Sequence, residues 1–208
     1  MWCFLVDPGQ GDVLWDHEVL IARLMDQLPD RYVGITDSSK TASRFTSGPF
    51  NLQSAYGSDL HLLHIVRDPR AVCWSLVKKA RRKRSGSNDA LLSAKTALGW
   101  CYANAASELF RRRFPEQYTR VLYEDLAADP HVVVPAVLDR ILPSAKWSSD
   151  AIGLEDNRHQ LHGNRMRWKP LKVDDIRVDN EWKSAMPTRL CRLVGSISWP
   201  LRVRYGYS

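Results

Sequence analysis

Apolar positions along the chain change period several times, and each change marks an element boundary. Residues 14 to 28, LWDHEVLIARLMDQL, set Trp15, Val19, Leu20, Ala22 and Leu28 at helical spacing, and Pro29 ends the run. RYVGITD, residues 31 to 37, then reads as a short strand. HLLHIV, residues 61 to 66, is a second apolar strand; Asp68 is the expected N-cap and Pro69 the first residue of a helix reaching about Lys83. SNDALLSAKTALGWCYANAASELFRRRF, residues 87 to 114, predicts a long helix rich in Ala and Leu that starts at a Ser-Asn cap signal. YTRVLYED, residues 118 to 125, reads as a third strand, with Asp125 capping the helix after it.

Strands alternating with helices imply parallel pairing and a sheet covered by helices, an α/β fold. Ligands of such sheets bind beyond the carboxyl ends of the strands. Three strand ends then converge on one crevice: Asp37 to Lys40, Arg67 to Arg70, and Tyr123 to Asp125. From about Asp129 the pattern gives helices and a polar loop containing HQLHGNRMRW, and the chain closes on WPLRVRYGY. No internal repeat and no Gly/Ser-rich or Pro-rich linker divides it.

Composition narrows the partner. The 208 residues are 44% hydrophobic and 25% charged, enough for one substantial core and against disorder. A net charge of +7 favours an anionic partner: nucleic acid, an acidic surface or a small phosphorylated ligand. The four cysteines, Cys3, Cys73, Cys101 and Cys191, form no C-x-x-C pair and have no histidine at ligand spacing. Neither a disulfide framework nor a zinc site is therefore expected, and a reducing compartment fits. No window approaches the roughly 20 apolar residues of a membrane span, so no membrane partner is expected.

Arg67 at a strand end, Ser75 eight positions later, and the intervening helix N-terminus combine guanidinium, hydroxyl and backbone N–H groups around one anion. The competing reading pairs Arg67 with a surface carboxylate. DSSKTASR, residues 37 to 44, offers Asp37 as a proton acceptor and Lys40 as a counter-charge for a leaving oxygen, against an ordinary cap and turn. Tyr123 offers a ring to a purine, and Arg165 and Arg167 in HGNRMRW suit a phosphate. KKARRKR, residues 78 to 84, reads as a solvated helix end: no aromatic residues are interleaved as a nucleic-acid platform requires. RSGSN, residues 84 to 88, reads as a turn and helix cap.

The order DSSK, VRDPRAVCWS, LYEDLAADP, HQLHGNRMRW and RYGY resembles the sulfotransferases that use 3′-phosphoadenosine 5′-phosphosulfate (PAPS), in the broad group of carbohydrate and bacterial enzymes. The similarity runs over roughly residues 30 to 208. It implies a P-loop nucleotide-binding-like parallel sheet covered by helices, with Arg67 and Ser75 binding the 3′-phosphate and Tyr123 near the adenine. Gly163, Asn164 and Arg167 are implied to close over the phosphate. The implied reaction moves a sulfuryl group from PAPS to a hydroxyl or amine, releasing adenosine 3′,5′-bisphosphate without a metal. The acceptor is a small molecule, carbohydrate or lipid. Asp37 is the expected base and Lys40 the expected electrostatic stabiliser.

One part of the family pattern is missing. A Gly/Ser/Thr-rich loop that cradles the 5′-phosphosulfate normally follows the first strand, and none precedes DSSK. GQGDVLW, residues 9 to 15, lacks the basic residue and the hydroxyl pair. The expectation is a single domain over residues 1–208 that is N-terminally incomplete, without its first βα unit. The alternatives are a non-catalytic remnant that binds adenosine 3′,5′-bisphosphate, or a basic nucleic-acid-binding protein. The expected location is cytoplasmic, with the Golgi lumen as the alternative if a membrane anchor precedes this sequence.

Overall fold

The computed structural model describes residues 48–83, 86, 88–143 and 177–208. The strands there are β1 (Leu62–Val66) and β2 (Tyr118–Leu122), paired in parallel with Leu62 opposite Tyr118 and Val66 opposite Leu122. Between them run α2 (Pro69–Arg82) and α3 (Asp89–Arg113), and α1 (Gly48–Tyr56) precedes β1. After β2 come α4 (Tyr123–Ala128), α5 (Pro130–Ile141), α6 (Glu181–Ala185), α7 (Thr188–Ile197) and α8 (Trp199–Arg204). The described residues are therefore mostly helical around a two-stranded parallel sheet, smaller than the sheet read from the sequence. The strand expected at residues 31 to 37 lies outside them.

Local chemistry explains the boundaries. Asp68 caps α2: its Oδ1 accepts the Arg70 N–H at 2.8 Å, and Pro69 occupies the first turn, where its missing N–H costs nothing. Lys79, Arg81 and Arg82 close the helix, where cations suit the negative end of its dipole. Gly86 turns the chain at φ 59°, and Asn88 Oδ1 accepts the N–H groups of Ala90 and Leu91 to open α3. The strand entrances are tied together by Gln117, whose Nε2 donates to Leu60 O at 2.9 Å and also to Gly57 O.

The strand that follows α3 stops at Leu122, three residues short of the expected end, and Tyr123 opens α4. Glu124 and Asp125 fall in the first turn of that helix, where carboxylates are favoured by the dipole. Asp125 is consequently not a cap: Asp129 caps α5 instead, accepting the Val132 N–H at 3.2 Å.

Two apolar clusters fix α2 and α3 against the rest. In one, Cys73, Trp74 and Val77 of α2 meet Ala97 of α3 and Leu190 and Val194 of α7. Cys73, Val77, Ala97 and Val194 are fully buried, so α7 is docked by side chains that lose all contact with water. In the other, Val66 of β1, Trp100 of α3 and Tyr205 pack together at the carboxyl end of the sheet. The residues after α8 thereby become part of the strand-end structure.

Candidate functional site

The carboxyl ends of β1 and β2 lie side by side because the strands are parallel and in register. That geometry brings Arg67 and Tyr123 together: the guanidinium carbon is 4.5 Å from the centre of the tyrosine ring. A cation over an aromatic face is attracted by the ring's negative quadrupole. The Arg67 main chain is held from below, since Trp100 Nε1–H donates to its carbonyl at 3.0 Å.

Glu124 joins the two strand ends. Its Oε1 accepts the Asp68 N–H at 3.1 Å, and its Oε2 accepts the Tyr207 O–H at 2.5 Å. Tyr207 also lies 3.3 Å from Val66 O. Burial, and then the Glu124 carboxylate, push the Tyr207 phenol far above its ordinary range, so it stays a proton donor. Arg70 completes the frame. Its Nε and Nη2 reach Asp68 at 3.0 and 2.7 Å, Nη2 reaches Ser208 O at 2.7 Å, and the guanidinium lies 4.4 Å from the Trp182 ring. The second arginine of Arg-Asp-Pro-Arg is thus structural.

Ser75 occupies the seventh position of α2 and is exposed, with no partner for its hydroxyl among the described residues. It stands about 9 Å along the helix axis from Pro69, at roughly 1.5 Å per residue. The structure therefore unites Arg67 and Tyr123 and leaves Ser75 on the neighbouring helix surface. Asp37, Lys40, Gly163, Asn164 and Arg167 lie outside the described residues.

The carboxylate alternative for Arg67 is realised. Its Nη2 donates to Asp179 Oδ2 at 3.1 Å, from the segment entering α6. Burial opposes ionisation of Asp179, but the Glu181 N–H and the Arg67 guanidinium outweigh it and hold the carboxyl below its ordinary range. Arg67 Nε–H is buried and has no acceptor among the described residues.

A second polar network lies under the sheet. His64 is buried between Tyr118 and Asn104, with Nδ1 2.6 Å from Tyr118 Oη and Nε2 2.9 Å from Asn104 Oδ1. Since Asn104 Nδ2 donates to Trp100 O at 2.7 Å, its oxygen faces the histidine, and Nε2 carries the proton. Beside it Glu108 receives Arg111 and Arg204 at 3.1 Å and Arg120 at 3.3 Å. Burial alone would raise the Glu108 carboxyl, but the three arginines keep it below its ordinary range.

The surroundings of Cys73 bear on its reactivity. Burial, and then Asp68, push the Cys73 thiol up to about 12, which removes it as a nucleophile at neutral pH. No group of three metal-ligating side chains occurs among the described residues. No helix among them is long and apolar enough to cross a membrane.

Sequence reasoning misses Glu124, Tyr207, Trp100 and Asp179. The first two lie within the motif stretches YED and RYGY, where the neighbouring residues carry the more familiar signals. Asp179 gives no local signal, because its partner is 112 positions away. Residues 56–142 match the family model described as Sulfotransferase family, a segment spanning β1 to α5 and both strand ends. No curated protein and no solved structure matches the chain.

Proposed function

We propose that this chain, whose residues 56–142 match the sulfotransferase family model, transfers a sulfuryl group from PAPS to the hydroxyl or amine of a small-molecule, carbohydrate or lipid acceptor. The observation that carries the reading is the Arg67–Tyr123 pair at adjoining ends of two parallel strands, inside the matched segment. A guanidinium suits a phosphate, and the ring beside it suits a purine. Support also comes from the rigid underside of the pair, since Trp100 and Glu124 hold the backbone of Arg67 and Asp68 by hydrogen bonds. Binding geometry fixed before the ligand arrives lowers the entropic cost of association.

In this reading Arg67 binds the 3′-phosphate, Ser75 adds a hydroxyl from α2, and Tyr123 borders the adenine. Gly163, Asn164 and Arg167 close over the phosphate. The acceptor oxygen or nitrogen attacks sulfur as the bond between sulfur and the 5′-phosphate oxygen breaks. Asp37 takes the acceptor's proton, and Lys40 offsets the charge that develops on the departing oxygen. Adenosine 3′,5′-bisphosphate leaves. The larger parallel sheet of P-loop-like proteins is the framework this family implies.

Calorimetric titration of the 208-residue chain with adenosine 3′,5′-bisphosphate, with 5′-AMP alongside, tests the reading. Binding of the bisphosphate at least roughly tenfold tighter than AMP, lost in Arg67→Ala, is the expected result, since a charge-assisted hydrogen bond contributes about 1.5–3 kcal/mol. Equal affinity for the two nucleotides, unaltered by Arg67→Ala, would refute it.

A further inference from the structure

Two carboxylates sit at a two-residue spacing where the chain enters α6, and each engages a cation of the β1–α2 unit. Asp179 takes Arg67, and Glu181 takes Lys78. Lys78 follows Ser75 by three residues on α2, so the ammonium and the hydroxyl share one helical face. Asp179 also feels both cations, because Lys78 as well as Arg67 lowers its carboxyl. Arg67 and Lys78 are therefore held by acidic residues two positions apart in one short segment.

The exposures show which partner is more easily displaced. The Arg67 and Lys78 side chains are 23% and 21% exposed, while those of Asp179 and Glu181 are 43% and 51% exposed. Pairs open to water on one side are worth about a fivefold factor or less in an equilibrium. The Arg67 guanidinium is also incompletely used, with Nε–H buried and without an acceptor among the described residues. A phosphate carries about −1.5 to −2 charge near neutral pH and three acceptor oxygens. Its three oxygens can accept from more than one cation, whereas each carboxylate here is paired with one.

Resting on the sulfotransferase reading, we infer that Lys78 is a further ligand of the 3′-phosphate, and that Asp179 and Glu181 occupy the two cations until that phosphate displaces them. The acidic pair then acts as a built-in competitor. It weakens the site by one factor for any nucleotide whose 3′-phosphate must displace it, and leaves a nucleotide without that phosphate unaffected. Nucleotide binding releases residues 177–181 from the β1–α2 unit.

Titration of the full chain with adenosine 3′,5′-bisphosphate and with 5′-AMP tests the inference in Asp179→Asn, Glu181→Gln and Lys78→Met. The carboxamide in Asp179→Asn keeps an oxygen for the Glu181 N–H that Asp179 Oδ1 accepts at 3.1 Å, so the entry to α6 is preserved. Each carboxamide variant should bind the bisphosphate about two- to fivefold tighter than the wild type, with AMP unchanged. Lys78→Met should bind it roughly tenfold more weakly. If the wild type prefers the bisphosphate through Arg67 but the carboxamide variants bind no tighter, or Lys78→Met binds equally well, the inference fails while the functional reading stands. If no variant distinguishes the bisphosphate from AMP, both fail together.

Discussion

Protonating His64 should weaken the fold over a defined pH range. The imidazole is 9% exposed and already satisfied as a neutral ring, donating from Nε2 to Asn104 and accepting the Tyr118 O–H at Nδ1. A second proton would place N–H against O–H at 2.6 Å, forcing the tyrosine hydroxyl to turn away. Burial is the largest cause of its shift; Asn104 and Glu108 oppose it, and the Arg120 charge adds to it, leaving the histidine at about 4 against an ordinary 6.5. Between those values the unfolded chain binds more protons than the folded one, so stability is present above 6.5 and falls as pH drops towards 4. Linkage gives a loss of about 1 kcal/mol between roughly pH 7 and pH 5.5, and about 3 kcal/mol in all once the pH is below about 4. Denaturant unfolding of the wild type and His64→Gln across this range measures it. The variant is expected to be less stable near pH 7 but to lose about 1 kcal/mol less on going to about pH 5.5. Two curves that fall in parallel, or a His64 resonance titrating near the ordinary 6.5, would refute the reasoning.

Two further substitutions probe the polar frame. Tyr207→Phe removes the O–H that reaches Glu124 and Val66 O, and should cost about 1–2 kcal/mol by denaturant midpoint while weakening adenosine bisphosphate binding, because Glu124 also holds the Asp68 N–H. An unaltered midpoint together with unaltered affinity would show that the residues after α8 do not support the strand ends. Glu108→Gln leaves Arg111, Arg120 and Arg204 around a neutral amide. Those arginines are 36–40% exposed, so water screens them and the expected loss is about 1–2 kcal/mol, below that of a fully buried pair. Raised salt should narrow the gap between this variant and the wild type, and a gap independent of salt would contradict the electrostatic reading.

Local signals in the sequence are strong where one element decides its own ends. Asp68 before α2 and Asn88 before α3 are caps, and Pro69 is the first residue of α2; the effect of each reaches only a few residues, and they lie where the pattern puts them. The strand after α3 reads too long because Tyr123, Glu124 and Asp125 do not break an alternating pattern. What ends β2 is the pull of Glu124 towards the Asp68 N–H, 56 positions away, together with carboxylates suited to a helix start. Arg67 is legible as a strand-end cation, whereas its contact with Asp179 joins segments remote in sequence and depends on tertiary packing. Arg70 looks equivalent to Arg67 in sequence, and only the fold separates them. Arg67 faces Tyr123 and an exposed carboxylate, while Arg70 is locked to Asp68, Trp182 and the final carbonyl. Charge alone favours an anionic partner without choosing one. The choice rests on parallel strand ends that bring a guanidinium within 4.5 Å of the centre of a phenol ring, in a segment that matches an enzyme family.

A crystal structure of the chain with adenosine 3′,5′-bisphosphate would decide the matter most directly. The 3′-phosphate should lie within hydrogen-bond distance of Arg67 Nε and Nη2, with the base beside Tyr123 and Asp179 withdrawn. A nucleotide bound elsewhere, with the Arg67–Asp179 pair intact at about its present 3.1 Å, would contradict the assignment of the strand ends as the nucleotide site.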